Sequence, residues 1–316
     1  MGCDRNATFW AVGMARHDAM SNEFFVKFRP TSPTGSGAAE LPNEIQFGTY
    51  VLYDATLRNR STTGIGVYTK LLINSINARL RMNVNETQIQ LVLVGMKEVE
   101  NNTIIPDPDA LRDVSYAAES LQIYLDKETD DAIKNADIVL YISGAILKGM
   151  NFRGEYYKAW SSSGSICSSN KGVVAGLYTP DFDKMESIMF GILKLLGSGV
   201  TGGIAANLKK ATKSKSCFEK NPVGVHSSVT RLPGEGLNET AYCKEFASDN
   251  DLFSFCGTLN DGCTLSCCWN NTKESRITSA PDGFGCGKEN NKICFMDKCV
   301  ERSSLEVERS NKKPKK

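Results

Sequence analysis

Eight of the chain's 11 cysteines (Cys243, Cys256, Cys263, Cys267, Cys268, Cys286, Cys294 and Cys299) fall in the last quarter of its 316 residues. Few apolar residues accompany them, so this segment cannot be held by a large core and needs covalent staples. Clustered cysteines also ligate zinc, but structural zinc sites favour paired C-x₂-C knuckles. None occurs here, so disulfides are expected. Spacing alone assigns no connectivity among the eight.

Disulfides require an oxidising compartment. Six N-x-S/T sequons, at Asn6, Asn59, Asn85, Asn101, Asn238 and Asn270, add to the expectation of a secreted, extracellular glycoprotein. The amino terminus, "MGCDRNATFWAVGMARHDAM", has no apolar h-region and does not read as a signal peptide. "MGC" opens like an acylation motif, but position six is Asn6 rather than Ser or Thr. The expected reading is a true start lying upstream. An intracellular, acylated protein with the basic tail "SNKKPKK" is a competing reading, and it requires free thiols and unmodified asparagines. Net charge is +1, which excludes a large electrostatic footprint for nucleic acid. No apolar run approaches the length of a membrane span.

Upstream of the cysteines the pattern is α/β. "RPTSPTGSGAAELP", Arg29 to Pro42, reads as a linker. From Glu44, apolar strand-like runs alternate with helical periodicity. "EIQFGTYVLYD", "IQLVLVGM", "DIVLYIS" and "GVVAGLY" are candidate strands, and "AWSSSGSIC" a candidate edge strand. Near-continuous apolar runs suit strands covered on both faces. Between them, Tyr68, Leu72, Ile76 and Leu80 recur at i+4, and helices are expected over about 109–125 and 129–135. Beyond Cys217 secondary-structure periodicity fades.

The helix "MESIMFGILKLLGSGV", Met185 to Val200, places Met185, Ile188, Met189, Ile192, Leu195 and Leu196 on one arc. Phe190 and Lys194 share the opposite side. Asp183 and Glu186 have capping-box spacing, and Gly197 suits the C-terminal turn. Asp181, Asp183 and Glu186 together offer carboxylates to a calcium ion, but dipole-compensating caps are the plainer reading. "RGE", Arg153 to Glu155, is an ordinary exposed turn.

Several stretches together resemble the reprolysin or ADAM-type metzincin metalloproteases, most closely the secreted salivary metalloproteases of ticks. "ADIVLYISG" is similar to the third strand of that family, "AWSSSGSIC" to its edge-strand segment and "KGVVAGL" to the strand before the active helix. "LLGSG" is similar to that helix's exit. "LPGEGLNETAYCKEF" and "PDGFGCGKENNKICFMDKCV" resemble its cysteine-rich domain. The resemblance covers roughly residues 42–300. It implies a metzincin-like, mainly parallel five-stranded sheet with helices, followed by a small disulfide-rich domain. The expected organisation is a propeptide remnant or linker over 1–41 and a degenerate metalloprotease domain over 42–230. A cysteine-rich domain over 231–300 and a basic tail over 301–316 complete it.

In the family, H-E-x-x-H-x-x-G-x-x-H supplies three zinc ligands and a general base. Aligned on "LLGSG", those positions are Phe190, Lys194 and Val200 for the ligands and Gly191 for the base. None of the four carries the required chemistry. The chain has two histidines, His17 and His226, so three cannot be supplied from elsewhere. No methionine for a Met-turn lies between Gly197 and Tyr242. Cys3, a formal counterpart of the propeptide cysteine switch, has no zinc to gag. The resemblance also implies a bridge between Cys167 and Cys217, closing a loop of about 50 residues and contributing about 3–4 kcal/mol. Lys194 invites two readings: its ammonium occupies the vacated cation position beside a cleft carboxylate, or it snorkels into solvent from an exposed face.

These readings converge on a secreted pseudoprotease with no metal or other cofactor, whose scaffold and cysteine-rich domain bind other proteins. The resemblance implies host extracellular matrix or haemostatic proteins as partners. The alternative is an active zinc metalloendopeptidase, which requires ligands the sequence does not possess.

Overall fold

The structure is a computed structural model. It describes residues 41–305 apart from 62–63, 84–86, 101–102, 105–112, 145–148, 151–155, 158, 163, 167, 177–184, 199–202, 213–230, 247–252, 260–261, 270–274 and 288–290. Strand β1 (Glu44–Asp54) is buried at most of its length, because helices cover both faces of the sheet in which it lies. It is followed by α1 (Ala55–Arg60), α2 (Ile65–Asn83) and β2 (Gln88–Val99). Then come α3 (Val114–Lys127), α4 (Asp131–Asn135) and β3 (Ile138–Ser143), whose six residues are all buried. The short strands β4 (Gly149–Met150), β5 (Tyr156–Tyr157) and β6 (Ala159–Ser161) precede β7 (Gly172–Gly176).

The main sheet has the order β2-β1-β3-β7-β6. Its first four strands run parallel, and β6 pairs antiparallel with β7 at the edge. A mixed α/β architecture with a mainly parallel five-stranded sheet is therefore present, with the edge strand where "AWSSSGSIC" suggested it. One face carries α2 and α5 (Met185–Leu196), with Tyr68, Leu72, Ile76 and Ile188 packed on Phe47 and Val51. The opposite face carries α3 and α4, with Val114, Leu121 and Ile133 packed on Leu52 and Val139. Both N-termini of α3 and α4 are capped by aspartates: Asp113 accepts from Ser115 N, and Asp130 from Ala132 N.

After α6 (Gly203–Thr212), the described chain resumes with α7 (Glu239–Phe246). Strands β8 (Phe253–Leu259), β9 (Thr264–Trp269) and β10 (Ser275–Ser279) form an antiparallel sheet, and β11 (Lys292–Phe295) and β12 (Lys298–Glu301) a hairpin. The fading of periodicity beyond Cys217 therefore did not mean absence of regular structure. These strands span four to seven residues, too few to register against a background of Cys, Gly and Asn.

Four disulfides hold this region: Cys243–Cys267, Cys256–Cys268, Cys263–Cys294 and Cys286–Cys299. They join α7 to β9, β8 to β9, and the hairpin to the loops that precede it. The hairpin turns on Met296 and Asp297, at φ of 50° and 61°. A two-residue loop with both central residues at positive φ matches the right-handed twist of its strands, although Asn-Gly is the usual choice.

One polar cluster joins the two regions. Arg79 on α2 donates from Nε to Asp282 Oδ2 at 2.7 Å and from Nη2 to Oδ1 at 2.9 Å. Ser75 Oγ donates to the same carboxylate at 2.5 Å and Met296 N at 3.0 Å. The side chains of Arg79 and Asp282 are 7% and 2% exposed, so this is a buried, bidentate pair. Next to it Gly283 stands at φ +94°, and a Cβ there would lie 2.6 Å from Leu232 Cβ. "PDGFG" is thus a seam against α2, which its sequence did not announce.

Candidate functional site

In open parallel sheets ligands favour the crevice where strand order reverses, at the carboxyl ends of the strands. Here that place lies between β1 and β3. Asp54 ends β1 there, buried, accepting from Leu57 N at 2.8 Å, Ser143 Oγ at 2.6 Å and Gly144 N at 3.0 Å. A Cβ at Gly144 would meet Leu57 N at 2.5 Å. Helix α1 fills the crevice, and Asp54 serves as its N-cap.

Helix α5 is the other candidate. Met185, Ile188, Met189, Ile192, Leu195 and Leu196 are all buried, as the arc of the sequence required. It ends in a Schellman turn: Ser198 N donates to Leu193 O at 2.9 Å while Gly197 takes φ +110°. Asn207 on α6 donates to Leu196 O at 3.0 Å and closes another free carbonyl. The chain after β6 docks on the same end, with Gly164 N donating to Lys194 O at 2.9 Å.

The aligned positions meet different fates. Phe190 and Lys194 are half-buried. Lys194 Nζ stands 2.8 Å from the centroid of the Trp160 ring, on edge strand β6. Lys194 is thus seated on an aromatic ring rather than free in solvent, and among the described residues no carboxylate pairs with it. Burial pushes its ammonium down to about 8, while the electron-rich indole face favours the charged form. A tryptophan at the adjoining edge was the sequence signal for this contact, and pattern reading did not connect the two.

Gly191 faces the sheet. Its Cβ, if present, would lie 2.9 Å from Val173 Cγ1 and 3.5 Å from Ala159 Cβ. Ser161 Oγ donates to its carbonyl at 2.6 Å. The position aligned with a general base is therefore a packing contact between α5 and β6–β7, with no room for a carboxylate side chain. Phe190, Gly191 and Lys194 do not fit a zinc ion: an aromatic ring, a glycine against valine and an ammonium on an indole offer no lone pair.

Val200, Asp181, Asp183, His17, His226, Cys3, Cys167 and Cys217 lie outside the described residues, as do Asn6, Asn85, Asn101 and Asn270. The Glu186 side chain is likewise outside them. Asn59 and Asn238 are exposed, and thus accessible to a glycan. Among the described residues, no helix is long and apolar enough to cross a membrane.

On the opposite face, Glu128 ends α3 as a saturated carboxylate. It accepts from Tyr124 Oη at 2.5 Å, Lys97 Nζ at 3.2 Å, Thr129 N at 2.9 Å and Asp130 N at 3.1 Å. Chiefly the Tyr124 hydroxyl, with the amides and Lys97, holds its pKa down to about 2 against the cost of burial. Ile123 and Tyr116 on α3 are exposed.

No protein-family model matches the chain, and no curated protein matches it. Among solved structures it is similar to metalloproteinase-II from Bacteroides fragilis, at 16% identity and a TM-score of 0.31, over 57% of this chain and 49% of that one. It is also similar to a chain in the structure of a chaperone–substrate complex, at 12% identity and a TM-score of 0.35, over 51% of this chain and 26% of that one. The chain thus spans about half the length of the first and a quarter of the second. Superpositions this loose transfer neither a fold nor an activity.

Proposed function

We propose that this protein is a secreted, reprolysin-like metalloprotease homologue that has lost its protease chemistry and acts by binding other proteins. The observation that carries the reading is the sealed helix face. Gly191 packs on Val173 and Ala159, and Lys194 sits on Trp160. A water nucleophile in this family is raised by a metal and a neighbouring carboxylate, and Phe190, Gly191 and Lys194 offer side chains suited to neither task. The four disulfides suit an oxidising, extracellular setting. Binding would then rest on the rigid surface of the disulfide-rich region and the flank of α5. Host matrix or haemostatic proteins are the partners the family resemblance suggests.

The deciding experiment measures metal content and proteolysis of the purified full chain. The expected result is no stoichiometric zinc and no chelator-sensitive cleavage of gelatin or fibrinogen. Stoichiometric zinc together with such cleavage overturns the proposal.

A further inference from the structure

The four disulfides differ sharply in surroundings. Cys243, Cys263, Cys267, Cys286 and Cys294 are all buried, which shields at least one sulfur of three of the bridges and both sulfurs of two. In the fourth, Cys256 is exposed and Cys268 half-buried.

Its place in the sheet is also distinct. Strand β8 is an edge of the order β10-β9-β8. Phe255 pairs with Cys267 and Gly257 with Ser266, so Cys256 is the extra residue of a β-bulge. Gly257, at φ +141°, supplies the backbone freedom that the bulge demands. The two strands are held by their own ladder from Phe253↔Trp269 to Leu259↔Thr264, so the bridge repeats a connection that hydrogen bonds already make. Ser266 Oγ lies 3.3 Å from Cys256 Sγ, close enough to donate to a thiolate formed there.

Thiol–disulfide exchange needs in-line access to one sulfur and a leaving group that can carry charge. Only this bridge, among the four, offers an exposed sulfur on a sheet edge with a hydroxyl beside it. We propose that Cys256–Cys268 is a thiol-exchange site, opened by a dithiol oxidoreductase while the other three bridges stay closed. A thiolate of the dithiol attacks Cys256 Sγ, and the S–S bond breaks. A mixed disulfide forms at Cys256, and Cys268 leaves as a thiolate that takes up a proton. The second thiol of the reductant then attacks its own mixed-disulfide sulfur and releases Cys256. The reductant is oxidised by two electrons to its disulfide, and the protein gains two thiols. Edge strand β8 is thereby freed of its cross-link to β9 while the ladder remains.

The test exposes the native full chain to increasing dithiothreitol at neutral pH. Quenching with iodoacetamide and peptide mapping then locate the new thiols. Cys256 and Cys268 are expected to be alkylated about tenfold or more faster than any other disulfide pair, with the near-ultraviolet dichroism of the folded chain retained. Opening of another pair first, simultaneous opening of all four, or no opening short of unfolding each overturns the proposal. A Cys256→Ser/Cys268→Ser variant is expected to fold and to lose the early alkylation. Its failure to fold also overturns the proposal, because the open site must be compatible with the native state.

Discussion

Replacing Asp282 with alanine tests the buried seam between α2 and the cysteine-rich region. The carboxylate accepts two bonds from Arg79, one from Ser75 and one from the Met296 amide, at 2% side-chain exposure. Its removal takes away the bidentate partner of a guanidinium whose side chain is 7% exposed. Breaking one side of a buried pair costs about 3–5 kcal/mol, mostly because the other charge stays behind. At about 1.5 °C per kcal/mol for a chain of 316 residues, the midpoint should fall by about 5–8 °C. Calorimetric melts of wild type, Asp282→Ala and Arg79→Met/Asp282→Leu form the assay. The double variant should recover most of the loss, since an apolar pair of similar volume is often neutral relative to the ion pair. A single variant within about 1 kcal/mol of wild type would refute the reasoning, because losing the bidentate partner of a buried ion pair is expected to cost several times that.

Three further outcomes follow from the same physics. Gly191→Ala should destabilise: helix propensity favours alanine by about 1 kcal/mol, but the new methyl meets the stiff Val173 at 2.9 Å, and overpacking costs about 1–3 kcal/mol. A higher melting midpoint for this variant would reverse the account of the sealed face. Lys194 has a folded pKa of about 8, below its unfolded value, so the unfolded chain binds more protons between pH 8 and 10. Wild type should therefore gain stability relative to Lys194→Met as pH rises through that window. Parallel denaturation curves at pH 7 and pH 10 would refute it. Glu128, held at about 2, gives a slope of the same sign in a lower window: its contribution is fully present above the unfolded pKa and is lost as pH falls through about 2. Glu128→Gln should be less stable than wild type at pH 7 and equal to it near pH 2. A pH-independent difference in urea midpoints would count against the network.

The sheet was legible because burial on both faces leaves a signal that local sequence cannot disguise. β3 is six apolar or small residues in a row, and α2 repeats its buried residues at i+4. The α5 arc could be read residue by residue, since a single buried stripe fixes helical phase. The sealed glycine could not. Gly191 is identified as lost chemistry by comparison with a motif, but its contact with Val173 depends on how α5 lies across β6 and β7. Lys194 shows the same divide: periodicity puts it opposite the buried arc, while its actual neighbour, Trp160, is 34 positions earlier in the chain. The disulfide partners were illegible for a related reason. Cys294 and Cys299 face each other across the hairpin, yet each bonds to a sulfur outside it. Asp282 went unremarked because an aspartate before glycine in a turn needs no further explanation until Arg79 is found beside it.

The seam also determines where the molecule can be cut. A break near residue 230, at the domain boundary expected from the sequence, would put Arg79 on one fragment and Asp282 on the other, each facing water from a surface shaped to exclude it. Neither half would then be an innocent miniature of its parent, and a partner that reads the cysteine-rich surface would be meeting an altered one. Binding studies with the intact polypeptide keep that surface as α2 braces it.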